Sequence, residues 1–182
     1  MALGAIATAL ILLGLRGSHG AGLETRGAPP WPAPAAASVA AGVRAAGLPL
    51  LFAPGEVVRF AVHLDVIVNG QPVTVPAGIG VDRAARRVAP LYTSDTSGIV
   101  HVTSDSDQDV FTLGEFFDEW QVPLAAGRLG GLRAAPVTVY LDGARAAGPP
   151  GSVLLTPHLQ LAVTYRPGAA RVPASYSFPA GT

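Results

Sequence analysis

The chain has 182 residues, a formal net charge of zero, 13% charged residues, no cysteine and, reading along it, no lysine. Without cysteine there can be no disulfide, thiolate nucleophile, Cys-based zinc or iron–sulfur site, or blue-copper centre. Without lysine, Schiff-base and P-loop lysine chemistry are excluded as well. The arginines form no basic stripe, so no nucleic acid is expected as a partner, since its affinity rests mainly on phosphate neutralisation.

Residues 2 to 15, ALGAIATALILLGL, are continuously apolar and Arg16 closes the run. As a helix they would span about 21 Å, short of the roughly 30 Å hydrocarbon core. That length suits the apolar region of a signal peptide, although the usual basic residues ahead of it are missing. Residues 1–20 are therefore read as a signal peptide or membrane anchor, with a small-residue cleavage site before Ala21; a buried helix is the other reading. The expectation is a protein exported or membrane-anchored, facing outside the cytoplasm, with the membrane as a partner through this segment.

Residues 21–52 read as a Pro/Ala-rich linker, with GAPPWPAPAA a stiff spacer and ASVAAGVRAAG a short helix ending at Gly47. Residues 53–166 read as the globular domain. In EVVRFAVHLDVIVNG, Val58, Phe60, Val62, Leu64, Val66 and Val68 share one face of a strand, and Arg59, His63 and Asp65 the other. Asn69-Gly70 supplies a type I′ hairpin turn, predicted to pair Val68 with Gln71. Pro72 and Pro76 put the return strand at a sheet edge.

A second hairpin is predicted through PLYTSDTSGIVHVTSD, with Val100 and Val102 on one face and His101 with Thr103 on the other. In FTLGEFFDEW, Thr112 and Glu115 form a capping box, and Leu113, Phe116, Phe117 and Trp120 supply a buried stripe. Glu115, Asp118 and Glu119 read as helix-surface acids. Two strands follow, PVTVYLDG and SVLLTPHLQLAVTYRP. The second is read with Leu159, Leu161, Val163 and Tyr165 on one face and His158, Gln160 and Thr164 on the other. The order hairpin, helix, strand, strand predicts an α+β fold, a β-grasp-like roll on a mostly antiparallel sheet with one short helix; the alternative is a small β-sandwich. Residues 167–182 are expected to be a disordered tail.

The candidate site lies on the polar sheet face. If the helix covers the apolar face, His63, His101 and His158 point to the same side, and Asp65 shares the face of His63. Neighbouring strands lie about 4.8 Å apart, so two or three imidazoles could converge on one metal. His63, Asp65, His101 and His158 are thus candidate ligands for copper or zinc. The alternative is that these are ordinary polar-face residues of a strand.

The stretches HLDVIVNGQPVTVPAGIG, APLYTSDTSGIVHV and FTLGEFFDEWQVPL resemble an uncharacterised family of exported or membrane-anchored bacterial proteins. The family pattern is H-x-H-x-H-L-D, then P-L-H-T-H-D-x-S-G-I-x-H, then F-T-L-G-x-F-F. The resemblance implies a metal-binding, His-rich face. This chain departs from it at Arg59 and Ala61, which stand at two of the first motif's histidine positions, and at Tyr92 and Ser94 in the second.

Asp105, Asp107 and Asp109 alternate like the start of a calcium loop. Val110 and Phe116 occupy the positions that need Gly and Glu, so the EF-hand pattern fails. No nucleophile elbow, zincin, dinucleotide-binding or Walker motif occurs. The expectation is a non-catalytic extracytoplasmic binding or structural module with a protein partner; the alternative is a copper- or zinc-binding protein.

Overall fold

The computed structural model describes residues 27–181, so the apolar segment assigned to 1–20 lies outside the described residues. Helix α1 (Ala36–Ala45) precedes strand β1 (Val58–Val68), which turns at Asn69 (φ 51°) and Gly70 (φ 77°) into β2 (Gln71–Val73). A small ribbon follows, β3 (Val81–Asp82) and β4 (Arg87–Val88), then the hairpin β5 (Leu91–Tyr92) and β6 (Ile99–Ser104). Helix α2 (Leu113–Trp120) leads to a second ribbon, β7 (Leu124–Ala125) and β8 (Arg128–Leu129). The chain ends its regular structure with β9 (Val137–Leu141), β10 (Ala144–Arg145), a 3₁₀ turn at Pro150–Ser152 and β11 (Gln160–Tyr165).

The fold is α+β. Seven strands form one mixed sheet, in the order β10-β9-β11-β1-β6-β5, with β2 also on β1. β1 carries β11 in parallel along one edge; the other edge is shared, β6 taking its first half and β2 its second. The parallel pair and the helix α1 packed onto the domain add to the expected antiparallel sheet with one helix. The predicted pairing of Val68 with Gln71 is present.

α2 forms where its cap places it. The Thr112 hydroxyl accepts from the Glu115 amide, and the Glu115 carboxylate accepts from the Thr112 amide at 2.6 Å. Its Leu113, Phe116, Phe117 and Trp120 pack onto Val62, Leu64, Val100, Val102, Leu161 and Val163, which the alternation of the strands puts on one face. A helix thus occupies the place a second sheet would take in a sandwich.

Two segments expected outside the domain contribute to it. Trp31, in the Pro-rich stretch, is 2% exposed and stands edge-on to Trp120 with ring centroids 6.0 Å apart. The carbonyl of Trp31 also accepts the Trp120 indole N–H. The tail from 167 to 181 has no helix or strand, yet Tyr176 lies on His63 of the sheet's polar side and Phe178 lies against His158. Every residue of β11 is buried, including Gln160 and Thr164 on that polar side. A sheet face expected to meet solvent is, over β11, a covered one.

Candidate functional site

Strand register assembles the polar face rung by rung. Tyr92 pairs with His101, which pairs with Ala61; His63 pairs with Gln160; Asp65 pairs with Ala162, and Ala162 with Tyr140. His63 and Asp65 share a face because they are two apart on β1, and His101 joins them through Ala61. His101 and His63 are diagonal neighbours, a spacing of roughly 7–8 Å between such positions.

His63, read as a candidate ligand or an ordinary polar-face residue, is buried. Its Nδ1 lies 2.9 Å from Gln160 Oε1 and its Nε2 lies 2.9 Å from the Ser97 carbonyl. The Gln160 amide donates to Asp65 Oδ2 at 2.8 Å and to the Leu161 carbonyl at 3.1 Å, which fixes its oxygen toward the ring. Asp65 Oδ2 is itself 3.6 Å from Nδ1. Both ring nitrogens are therefore engaged by oxygen atoms, and a cation could reach neither without displacing Gln160 or the Ser97 carbonyl. Gly98 makes the Ser97 contact possible: it sits at φ 88°, and a Cβ there would stand 2.9 Å from His63 Nε2. Over this network lies Tyr176, parallel to the His63 ring within 8° at 3.7 Å.

His101 is half-buried and stacks on Tyr92 at 4.9 Å, with Nε2 3.1 Å from the Ser94 hydroxyl. Burial pushes its pKa below the ordinary imidazole value; Asp95 opposes that shift and Arg59 adds to it. The Asp95 carboxylate is turned to Ser97, whose hydroxyl and amide both donate to it and hold its pKa down. A hydroxyl bonded to an imidazole is the first contact of a nucleophile and its base. Here the carboxylate that would orient such a base is engaged with Ser97.

His158 does not join the face as predicted. It occupies the turn before β11 at φ 59°, donates its amide to the Ala61 carbonyl, and sets its ring 5.0 Å from Phe178. The structure thus brings together His63 and Asp65, places His101 one rung away, and moves His158 to the strand entrance. Among the described residues no group of three His, Asp or Glu side chains is placed to hold a metal ion. In the acidic loop, Asp105 accepts the Glu56 amide and Asp109 accepts the Ser104 hydroxyl.

Sequence reasoning missed Gln160 and Tyr176 as parts of the network. Gln160 carried a signal, since it was read onto the polar face of its strand; Tyr176 and Phe178, alternating in an otherwise small-residue tail, carried a fainter one. It also misjudged Glu119, which is 1% exposed, with neither oxygen hydrogen-bonded among the described residues. Burial raises its pKa well above the ordinary carboxyl value, and the nearby Glu115 charge adds to the rise.

These elements define an α+β domain on a mixed sheet with a covered, hydrogen-bonded histidine face. Compared with known proteins, the chain matches no family model, no curated protein and no solved structure. No helix among the described residues is long and apolar enough to cross a membrane.

Proposed function

We propose that this chain is an exported or membrane-anchored, non-catalytic binding module whose histidine face seats an extended, aromatic-bearing segment of a protein partner. One observation carries the reading: the face already holds such a segment, the chain's own tail, through Tyr176 laid flat on His63, with Phe178 packed against His158 at the strand entrance. The apolar run at 2 to 15 supports export. The scaffold is read as a β-grasp-like roll. Supporting this are the β1–β2 hairpin, the helix α2 across the sheet, and β11 returning parallel to β1 between it and β9.

The test is photo-crosslinking in an exporting host from a photoreactive residue at position 140, which shares the face of Ala162 and Asp65. An adduct with another polypeptide, lost in His63→Ala, is the expected result. No adduct at all overturns the reading.

A second reading, copper or zinc binding, is favoured by where the family's histidine positions fall. Ala61 and Tyr92 flank His101 on one rung, Ser94 bonds to it, and Arg59 lies two residues before Ala61. Metal binding at His63 requires the ring to leave Gln160 or Ser97. Calorimetric titration of Cu(II) and Zn(II), with His63→Ala and His101→Ala as controls, tests it; micromolar binding lost in both variants favours metal.

A further inference from the structure

A groove of about 390 Å³, lined by none of the histidine-face residues, lies where the connector between α1 and β1, the end of β6 and the loop entering α2 meet. Leu48, Leu51, Pro90 and Phe111 give it apolar walls, and the exposed Asp105, Asp109 and Val110 form its rim. The connector is pinned on both sides. Leu51 and Val88 exchange backbone bonds at 2.8 and 2.9 Å, and the amides of Glu56 and Val57 donate to Asp105 Oδ1 and the Ser104 carbonyl, each at 3.0 Å. Gly55 permits that approach, since a Cβ there would stand 2.3 Å from the Ser104 carbonyl carbon. The acidic loop is fixed in turn: the Ser104 hydroxyl donates to Asp109 and accepts from the Ser106 amide. The groove is therefore built in advance, and an occupant need not order it.

Among the described residues four large apolar side chains are exposed, Phe52, Val57, Val110 and Leu154, and the first three gather here. Phe52, 80% exposed, follows Leu51; Val57 is bonded to Ser104; Val110, 73% exposed, stands on the rim. Grouped apolar exposure marks an interaction surface. The charge beside it has one sign. Asp105 and Asp109 each commit one oxygen to the bonds above, Asp107 lies between them in the chain, and among the described residues no arginine pairs with any of the three. Carboxylates left together without a counter-charge attract cations and repel anions. Nucleic acid and anionic membrane surfaces are thus disfavoured as occupants, and the apolar side chains extend past what a small cation would cover. We propose that the groove docks an extended segment of a protein partner that presents arginine or lysine beside an apolar side chain. The cation meets Asp105 and Asp109, and the apolar side chain enters between Leu48, Leu51 and Phe111. Phe52 already takes such a cation from within the chain, with the Arg87 guanidinium 4.6 Å above its ring. This site is separate from the histidine face and does not depend on what that face binds.

The probe is an amidated hexapeptide alternating leucine and arginine, titrated into the isotope-labelled full-length chain and followed by backbone amide resonances. Its controls are the same peptide with glutamate for arginine, the same with serine for leucine, and arginine amide alone. The expected result is binding that shifts residues 47–57 and 104–111 and weakens as salt is added. Asp105→Asn/Asp109→Asn, which keeps acceptors for the Glu56 amide and the Ser104 hydroxyl, should weaken it about ten-fold. Val110→Ser should weaken it about three-fold, and because that side chain is exposed the variant keeps the fold and carries the test if the double variant does not. Failure of the leucine–arginine peptide to bind, or shifts confined to residues outside the groove, overturns the proposal. Equal binding by the glutamate peptide overturns the charge argument, and equal binding by the serine peptide the apolar one; either sinks the assignment. Arginine amide binding as tightly as the peptide overturns a protein segment as the occupant.

Discussion

Glu119 offers the sharpest test of the core. Its carboxyl is buried, with Oε2 2.8 Å from where a Cβ on Gly80 would stand, and its backbone carbonyl lies against Gly42 of α1. Burial, and secondarily the Glu115 charge, raise its pKa well above the ordinary value. The folded protein therefore keeps a proton that the unfolded chain, with an ordinary carboxyl, gives up as pH rises. A state that binds more protons is favoured by acid. The stability contributed is full below the unfolded carboxyl's range, about 4.3, and is lost as pH climbs toward the raised folded value. The loss amounts to about 1.4 kcal/mol per pH unit for as long as the buried group stays protonated. Glu119→Gln keeps the shape and removes the proton. Urea unfolding of both proteins at half-unit steps from pH 4 to 8 gives the difference in stability, from which every other titrating group cancels. That difference should grow with pH in favour of the variant. A difference independent of pH would falsify the burial argument, because a carboxyl that ionises equally in both states has no such slope.

Three further outcomes follow from particular contacts. The His101 imidazole should titrate below the ordinary histidine value by NMR; Arg59→Gln should raise its midpoint and Asp95→Asn should lower it further, since those charges act in opposite directions. Trp31→Ala should cost about 3–5 kcal/mol in urea unfolding, as expected for deleting a buried aromatic ring. A value under 1 kcal/mol would return the Pro-rich stretch to the role of a spacer. Thr112→Ala should cost about 1 kcal/mol through loss of the capping box, and Thr112→Ser should restore most of it.

Local rules made some of this structure readable. β1 is legible because a period of two sustained from Val58 to Val68 admits only one backbone, and α2 is legible because Thr112 and Glu115 satisfy its first amides. His63, Asp65 and His101 were placed on a common face by the same alternation. What escaped depends on contacts between distant residues. Nothing local makes β11 parallel to β1, so Gln160 could not be set beside His63 from sequence. His158 looked like a strand residue because the apolar alternation runs through it, whereas the chain bends there at φ 59°. Glu119 stands among acids on a short helix and looks solvated until α1 is laid over that side. Trp31 and Tyr176 lie in Pro- and Ala-rich segments whose composition describes their backbone but says nothing of where a single large ring docks.

The division of one β1 edge between β6 and β2, with β11 along the other, has a consequence for how the domain comes apart. The strand is a common spine: the hairpin β5–β6, the return strand β2 and the unit β9–β11 each reach the rest of the sheet through it. No one of these parts can be released from the others by sliding or peeling at a seam between them, since they share a spine and not a border. Loss of β1 dissolves all of them at once. Amide exchange should accordingly report one slowest class spanning β1, β6 and β11, and the tail and the two small ribbons should exchange ahead of it. Diversity in the loops between β2 and β5 or between β10 and β11 can then accumulate without fragmenting the fold, because β6, β11 and β1 are held to one another by the ladders along β1 and not through those loops.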